Sequence, residues 1–414
     1  MSNKKNILAI DLGTYCDNSI MLTFLKKIEN NCNIFYITDE NNKNVPSTYV
    51  KSTYKTPEFM IKNINNPAAD PSENFIFWLL SNPYSAYESY NLIKIIREKI
   101  VTITAKFDID QIFFLYPTIM IIFELPNEII NKIKINILYQ APAFPNFYIP
   151  WIFDSKIKHQ SYKIFQNDIS NFDSGILFLK RLIYFKTISI DEILNVYKKI
   201  NHIICWDDNI FPKIIRPIIA ESNAKYIGSI ITSGEKGEIP EKIKKIIVKY
   251  KNIIFISFGS FQISNTVFNF ITKNLEKYCE NKNVHAIFHN GNYNSNFITS
   301  YKGYIPYGSF IPRCSLAFFS GSICLQNVCF YNKVPLIYVP ILTEQYFWAK
   351  NYEYQTSMPY ITEETMKNID LIRLLSHIFN TKSTEYKNII KFLKKVSKSM
   401  INNENKNKID NLIK

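Results

Sequence analysis

Three small residues, Ser320-Gly321-Ser322, lie between an apolar run at residues 315–319 and a helical pattern at residues 322–331. The pattern predicts a strand, a tight turn and a helix. A helix that begins directly after such a turn presents free N–H groups and a positive dipole end to an anion. The turn is therefore a candidate phosphate site. A serine N-cap after a strand is also common in α/β proteins, so by itself the turn fits a structural role as well.

The glycines of this chain mark backbone positions with special geometry. Only 10 of the 414 residues are Gly, which is far below the average share of about 7%. The glycines that remain should lie where a positive φ or a close approach to a ligand requires them. Gly13, Gly259 and Gly321 each follow a predicted strand. Open parallel sheets bind ligands at the carboxyl ends of their strands, so these three turns are candidate binding turns.

Short apolar runs alternate with helical patterns, which predicts parallel sheets covered by helices on both faces. In the first half the predicted strands are residues 6–12, 33–38, 111–115 and 135–139, with a helix at residues 19–28. In the second half the predicted strands are residues 252–257, 284–289, 315–319 and 336–339, with helices at residues 266–280 and 322–331.

A break in this alternation divides the chain. Residues 226–240 hold three of the ten glycines and are otherwise largely polar, which is typical of a linker. We predict an N-terminal domain over residues 1–225, a linker over 226–240, a C-terminal domain over 241–382 and a Lys-rich helical tail over 383–414. The length of the chain agrees with two domains.

The chain is basic, with 49 Lys and Arg residues against 35 Asp and Glu residues and a net charge of +14. Such an excess is found in proteins that bind nucleic acid or anionic membranes. Here Lys is interleaved with Asn and Ile and forms no dense block, so we predict a generally basic surface and no nucleic-acid partner. Peripheral contact with an anionic membrane remains an open alternative.

The apolar segments predict a soluble protein. The longest of them, residues 111–125, is too short to span a bilayer and contains Pro117 and Glu124. Residues 1–11 indicate a first strand rather than a signal peptide. Seven scattered cysteines without metal-ligand spacing predict reduced thiols and a cytoplasmic location.

Four strings in the second half resemble, in order and spacing, the C-terminal domain of GT-B glycosyltransferases. They are F-I-S-F-G-S (255–260), Y-I-P-Y-G-S-F-I-P-R-C (304–314), V-P-L-I-Y-V-P (334–340) and E-Q-Y-F-W-A (344–349). The set is most similar to the sterol and antibiotic branch of the UDP-glycosyltransferases, with a secondary likeness to the lipid-linked N-acetylglucosamine transferase of cell-wall synthesis. The resemblance covers residues 227–353 and is fainter at residues 13–17, 140–145 and 206–212. It implies a GT-B fold, in which two doubly wound Rossmann-like domains face a central cleft.

The resemblance also implies roles for particular residues of the second half. Ile305, Pro306 and Tyr307 would lie against the nucleotide base. Gly259-Ser260 and Ser320-Gly321-Ser322 would face the diphosphate. Glu344 and Gln345 would bind sugar hydroxyls, and a carboxylate beside a carboxamide does offer both acceptors and donors to vicinal hydroxyls. The alternative for this pair is that it caps the following helix.

The diphosphate turn departs from the family pattern, which is His-Gly-Gly followed by Gly-Thr. Ser320 stands in place of the His, Ser322 in place of the second Gly, and Cys324-Leu325 in place of Gly-Thr. A serine hydroxyl is a weaker, uncharged donor to a phosphate oxygen, while the backbone N–H groups remain. The Ser-Gly form is the one that the cell-wall branch uses.

Transfer with inversion needs a base that takes the proton of the acceptor hydroxyl while the diphosphate leaves. Asp17 matches the Asp of the family's G-[ST]-R-G-D pattern, which here begins at Gly13-Thr14. The resemblance therefore implies that Asp17 is the base, with capping of the helix near Ser19 as the alternative. Asp11 is a second candidate, within the predicted first strand. Asp207-Asp208 is not a spaced DxD motif, so we predict a metal-independent enzyme without a cofactor other than the UDP-sugar co-substrate.

The acceptor would lie against the N-terminal domain, beside Gly13, Thr14 and Phe144. The resemblance implies transfer of a hexose from a UDP-sugar to a hydroxyl of a small apolar acceptor, such as a sterol, lipid or polyketide. Most aromatic residues of this half are expected in its core: Phe75, Phe77, Trp78, Phe113, Phe114, Phe144, Phe147, Tyr148 and Trp151.

Three other classes of protein remain open at this point. The first is a degenerate GT-B protein that binds a nucleotide or glycolipid without turnover, which the altered diphosphate turn favours. The second is a non-catalytic subunit that works on anionic membranes through its basic surface. The third is a sugar-phosphate epimerase, which should carry more acid–base residues around its donor pocket.

Overall fold

The computed structural model describes residues 4–11, 15–42, 44–55, 83–115, 119–139, 195–196, 199–207, 209–210, 224–259, 263–280, 282–341, 343–403 and 406–413. Two separate parallel sheets organise these residues. Among the described residues, no helix combines the length and the apolar character that crossing a bilayer requires.

The sheet of the first half has seven strands. They are β1 (Lys5–Ile10), β2 (Cys32–Asp39), β3 (Val50–Tyr54), β4 (Gln111–Leu115), β5 (Lys134–Tyr139), β6 (Asn201–Ile204) and β7 (Ala224–Tyr226). Their order in the sheet is β3-β2-β1-β4-β5-β6-β7, and every pair is parallel. The described helices of this half are α1 (Tyr15–Ile28), α2 (Pro83–Lys106), α3 (Ile119–Ile122) and α4 (Asn127–Lys132).

Continuous apolar runs explain these strands, because a parallel sheet is covered on both faces. All five residues of β4 are buried, including Phe113 and Phe114. The ring of Phe24 on α1 lies 4.9 Å from that of Phe113. Ile20, Phe24 and Ile28 are buried along one face of α1, as their spacing predicts.

The sheet of the second half has five strands: β8 (Asn252–Ser257), β9 (Val284–His289), β10 (Ile298–Tyr301), β11 (Leu316–Phe319) and β12 (Leu336–Tyr338). Their order is β10-β9-β8-β11-β12, and all pairs are parallel. The helices are α5 (Glu241–Lys249), α6 (Asn265–Cys279), α7 (Tyr307–Phe310), α8 (Ile323–Asn332), α9 (Thr343–Thr356), α10 (Leu371–Phe379), α11 (Thr384–Asn403) and α12 (Lys406–Ile413). Two 3₁₀ helices lie at Ile311–Arg313 and Thr365–Asn368.

Residues 227–240, between β7 and α5, contain no helix or strand. The two halves also contact each other away from this segment. The indole rings of Trp206 and Trp348 meet edge to face at 5.8 Å, and the Asn351 Nδ2 donates to the Ile210 carbonyl at 2.7 Å. Both contacts join the loop that follows β6 to α9.

Helix α12 lies against the first half of the chain. It contacts α1, and its carbonyl oxygens accept hydrogen bonds from the first residues of two strands. The Gln111 Nε2 donates to the Ile413 carbonyl at 3.2 Å, and the Lys134 Nζ donates to the Leu412 carbonyl at 3.0 Å. These are the amino ends of β4 and β5, so α12 covers that edge of the seven-stranded sheet.

Two predicted element boundaries near Asp17, the candidate catalytic base, are wrong. Helix α1 begins at Tyr15 rather than at residue 19, and β1 ends at Ile10 rather than at residue 12. Asp17 is therefore inside the first turn of α1, where a carboxylate interacts favourably with the positive end of the helix dipole. Asp11 lies just past the strand instead of within it.

Candidate functional site

The turns that follow β8 and β11 meet at the carboxyl edge of the five-stranded sheet. Ser320 is buried, and its Oγ donates to the carbonyl of Phe258 at 3.5 Å. Phe258 directly precedes Gly259, which has a φ of +65°. The structure thus brings together two of the turns that the glycine positions predicted, while Ser260 lies outside the described residues.

Gly321 occupies a position that only glycine fills without strain. Its φ is +111°, and a Cβ added to it would lie 2.9 Å from the Cβ of Gln345. Gln345 is buried, and its Oε1 accepts the N–H of Ile341 at 2.8 Å. The start of α9 therefore packs against the Ser-Gly-Ser turn, and the Gln345 side chain ties the loop after β12 to the same place.

Ser322 is the N-cap residue of α8, with φ −57° and ψ 124°. This matches the strand, turn and helix that the sequence predicts. The first N–H groups of an α-helix have no acceptor within the helix, so the start of α8 can donate to an anion. Helix α8 contacts α1 of the first half.

The loop predicted to contact the nucleotide base, Ile305 to Tyr307, runs into α7. Ile305 and Pro306 are buried, and Tyr307 is half-buried at the first position of the helix. The Tyr307 ring lies 5.7 Å from that of Phe255 on β8. Its hydroxyl lies 3.1 Å from the Nδ1 of His289, the last residue of β9. His289 was not singled out from the sequence, although it ends a correctly predicted strand.

Residues 234–237, predicted as part of a linker, pack directly against α7. The Gly308 N–H donates to the Glu235 carbonyl at 2.8 Å, and the Gly237 N–H donates to the Ser309 Oγ at 3.0 Å. A Cβ on Gly308 would lie 2.6 Å from the Gly234 carbonyl oxygen, so the two backbones touch. Residues 234–237 therefore pack against the helix that follows the Ile305–Tyr307 loop.

The structure describes only part of the remaining predicted site. Gly13, Thr14 and Phe144 lie outside the described residues. Asp17 is in the first turn of α1 and Glu344 is the second residue of α9, but neither side chain is described. The predicted core positions Phe113 and Phe114 are confirmed, and the other seven aromatic residues named with them lie outside the described residues.

Asp11 is fully buried behind the first turn of α1, and its carboxylate is surrounded by donors. The Tyr36 hydroxyl donates to Oδ2, and the Thr38 Oγ1 donates to Oδ1 at 3.0 Å. With the Asn18 amide turned so that its nitrogen faces the carboxylate, Nδ2 donates to Oδ2 at 2.8 Å. Burial, and next the charge of Asp11, raise the pKa of Tyr36. Asp11 therefore anchors β2 and α1 within the fold.

The cysteines depart from the prediction at one position. Cys32, Cys205, Cys279, Cys314 and Cys329 are buried free thiols. Cys324, in the first turn of α8, is disulfide-bonded, to a partner outside the described side chains. Among the residues that the structure describes, no three His, Cys, Asp or Glu side chains are grouped as a metal site would require.

No family model matches the chain, and no curated protein matches its sequence. Solved structures do match its fold. A UDP-glucosyltransferase from Polygonum tinctorium capable of glucosylating indoxyl has a TM-score of 0.69 at 10% identity, with 100% of this chain and 99% of that chain covered. A UDP-glucose: anthocyanidin 3-O-glucosyltransferase in complex with UDP has a TM-score of 0.67 at 12% identity, with 100% and 99% covered.

The calicheamicin glycosyltransferase has a TM-score of 0.62 at 10% identity, with 99% of this chain and 97% of that chain covered. These likenesses extend over whole chains and over both sheets. They identify the architecture as the GT-B fold of the glycosyltransferases, as the four sequence strings predicted.

Proposed function

We propose that this protein is an inverting, metal-independent glycosyltransferase that moves a hexose from a UDP-sugar to a hydroxyl of a small apolar acceptor. One observation carries the proposal: the turns after β8, β11 and β12 converge on Ser320 and Gly321, directly before the start of α8. Strand ends and a helix start that meet in this way form an anion site in an open α/β sheet. The GT-B fold and the motif resemblance give that anion its identity as a nucleoside diphosphate.

Each part of the site has a role in this proposal. The N–H groups of Gly259, Ser260 and the Ser320-Gly321-Ser322 turn hold the diphosphate, and the loop from Ile305 to Tyr307 faces the base. Glu344 and Gln345 recognise the sugar hydroxyls. The Gln345 Oε1 accepts the N–H of Ile341, which also ties the loop between β12 and α9 to this place, and a carboxamide still offers N–H donors to a hydroxyl.

Asp17 would take the proton of the acceptor hydroxyl as its oxygen attacks the anomeric carbon, while the diphosphate leaves from the opposite face. The contact between α1, which carries Asp17, and α8, which follows the diphosphate turn, supports this assignment. Asp11 is a poor alternative, because its carboxylate is buried and already accepts hydrogen bonds from Tyr36 and Thr38. The acceptor would lie beside Gly13, Thr14 and Phe144.

A thermal-shift panel of nucleotides and nucleotide sugars tests the donor class. UDP and at least one UDP-hexose should raise the melting temperature, since a ligand at 100 times its Kd stabilises the folded state by about 2.7 kcal/mol. ADP and GDP at the same concentrations are the controls. A panel in which no uridine nucleotide stabilises the protein would contradict the proposal.

Asp17→Asn tests the assignment of Asp17 as the catalytic base. We expect transfer to apolar hydroxyl acceptors to fall by roughly 10²- to 10⁴-fold, because general-base catalysis contributes about that factor. The shift in melting temperature with UDP should stay unchanged, which controls for folding and donor binding. Full transfer activity in this variant would remove Asp17 from the mechanism.

A degenerate GT-B protein that binds a nucleotide or glycolipid without turnover is the second candidate. The altered diphosphate turn favours it, because Ser320 and Ser322 stand where the family pattern has a His and a second Gly. Calorimetric binding of UDP, without hydrolysis of or transfer from any UDP-hexose, would establish this reading.

Peripheral contact with anionic membranes is a further proposal, which rests on composition alone. A cytoplasmic location is also proposed, from the five buried free thiols, and the disulfide at Cys324 is the observation against it. Flotation with anionic liposomes at low salt tests the membrane contact, since exposed charges are least screened there. Absence of flotation under these conditions would exclude it.

A further inference from the structure

Both ring nitrogens of His289 form hydrogen bonds with the loop that leads into α7. The Nε2 lies 2.8 Å from the carbonyl oxygen of Gly303, and the Nδ1 lies 3.1 Å from the hydroxyl of Tyr307. A carbonyl can only accept, so Nε2 carries a proton; in the neutral ring Nδ1 then accepts from the tyrosine hydroxyl. One side chain therefore fixes the two ends of a five-residue loop.

The surroundings of His289 keep its ring in place. It stacks on Phe255 at 6.0 Å, and Phe255 also meets the rings of Tyr307 and Phe310. Burial lowers the pKa of His289, against a smaller opposing effect of the Gly303 hydrogen bond. The neutral ring, which this burial favours, satisfies both contacts with one donor and one acceptor.

The loop itself is shaped for this contact. Gly303 has a φ of +128°, a conformation that L side chains rarely adopt, and this directs its carbonyl toward β9. Between the two bonded ends, Ile305 is buried while Tyr304 is 55% exposed. On the other side, the Glu235 carbonyl accepts the N–H of Gly308. The loop is thus held between the end of β9 and the segment that joins the two sheets.

We propose that His289 is a positioning residue that fixes the loop from Gly303 to Tyr307 in the shape that selects the nucleotide base. This inference rests on the proposed function, since that function makes the loop the base-binding segment. A loop fixed at both ends offers its backbone groups at a set distance and fits one size of base. Release of either end should weaken uridine binding and reduce the preference for UDP over ADP.

Calorimetry with UDP and ADP on four variants tests the proposal. His289→Phe keeps the ring against Phe255 but removes both hydrogen bonds, and we expect its Kd for UDP to rise about 10-fold. Tyr307→Phe should raise it about 3-fold, and the double variant should be no weaker than His289→Phe, because the two changes remove one shared bond. His289→Gln, which keeps a donor within reach of Gly303, should recover part of the loss.

His285→Phe is the matched control. His285 is the other histidine on β9 and is buried, but its Nε2 bonds to Thr299 rather than to the loop. We expect this variant to bind UDP and ADP as the unmodified protein does, even if it melts at a lower temperature. In transfer assays, His289→Phe should raise the donor KM about 10-fold and leave kcat within about 2-fold, a split that general destabilisation does not produce.

Hydrogen exchange in the ligand-free protein separates this inference from the proposed function. The N–H groups of Gly308, Ser309 and Phe310 are all hydrogen-bonded, and they should exchange faster in His289→Phe but not in His285→Phe. If UDP does not bind and these amides still respond, the proposed function fails and the fixing of the loop stands. If they do not respond, or if UDP binds His289→Phe as tightly as the unmodified protein, the positioning role is wrong.

Discussion

Gly321 shows how a single residue shapes the diphosphate turn. Two separate effects require glycine there: a φ of +111°, and the Cβ of Gln345 within 2.9 Å of any added side chain. Gly259, in the neighbouring turn, has a φ of +65° but open space where a Cβ would lie. The pair therefore separates backbone strain from steric contact.

Gly321→Ala should lower the free energy of unfolding by about 2–4 kcal/mol, since strained backbone costs roughly 1–3 kcal/mol and the contact with Gln345 adds to it. Gly259→Ala should cost about 1–2 kcal/mol, the penalty for a left-handed residue with a Cβ. Urea unfolding of the two variants measures the difference. Equal losses would mean that the Gln345 contact relaxes without cost.

Strand β9 carries a histidine near each end: His285 is buried and His289 is half-buried. The Nε2 of His285 lies 2.9 Å from the Thr299 Oγ1, and its ring stacks on Tyr250 at 4.5 Å. Its Nδ1 has no hydrogen-bond partner among the described residues. Burial, and next the charge of Lys249, lower the pKa of His285 to about 4.

This lowered pKa makes the stability of the fold depend on pH. In the unfolded chain the histidine takes up a proton near pH 6.5, while in the folded protein it stays neutral down to about pH 4. The unfolded state therefore binds more protons in this window, and stability falls as the pH drops from about 6.5 to about 4. His285→Phe removes this contribution.

We expect the stability gap between the unmodified protein and His285→Phe to be about 2–3 kcal/mol larger at pH 7.5 than at pH 4.5, as the pKa shift requires. Urea unfolding of both proteins at the two pH values measures it. Parallel losses of stability would show that His285 does not titrate differently in the folded state.

At the scale of the whole molecule, α12 ties the second half of the chain to the first. Ile409, Leu412 and Ile413 are buried against the N-terminal half, beside the carbonyl contacts to Gln111 and Lys134. Asn411, between these residues, is exposed. The stability of the seven-stranded sheet should therefore depend on residues of α12.

Leu412→Ala should destabilise the protein by about 2–3 kcal/mol, the lower part of the range for a buried leucine. Asn411→Ala, on the exposed side of the same helix, should change stability by less than about 0.5 kcal/mol. Chemical denaturation followed by tryptophan fluorescence measures both. A Leu412→Ala protein as stable as the Asn411→Ala protein would mean that α12 is dispensable for the first half.

Most of the fold follows from the local sequence, because buried parallel strands are written as short apolar runs. Three strands, Gln111–Leu115, Asn252–Ser257 and Val284–His289, have the bounds that their apolar runs predict. The start of α1 was missed because Asp17, Asn18 and Ser19 are all residues that favour the position before a helix as well as its first turn. In the folded protein the Asn18 amide donates to the buried Asp11 carboxylate, which holds Asn18 in the first turn of the helix. This contact is tertiary and cannot be read from the local sequence.

The candidate site was predicted less completely, for the same reason. Gly259 and Gly321 could be found, because a positive φ is usually occupied by glycine. His289 could not be assigned, since its partners Gly303 and Tyr307 come together only when β9 and α7 are in place. Nor does the sequence show that residues 234–237 pack on α7, because their glycines are equally typical of a free linker.

The contact between β4 and α12 has a consequence for synthesis on the ribosome. β4 is the central strand of its sheet, yet the Gln111 side chain meets a carbonyl 302 residues further along the chain. At roughly 5–20 residues per second, that partner follows Gln111 by about 15–60 s. During this interval the emerging half exposes the amino-end edge of its sheet, which α12 later covers. Nascent chains of this protein should therefore bind chaperones until α12 has left the exit tunnel.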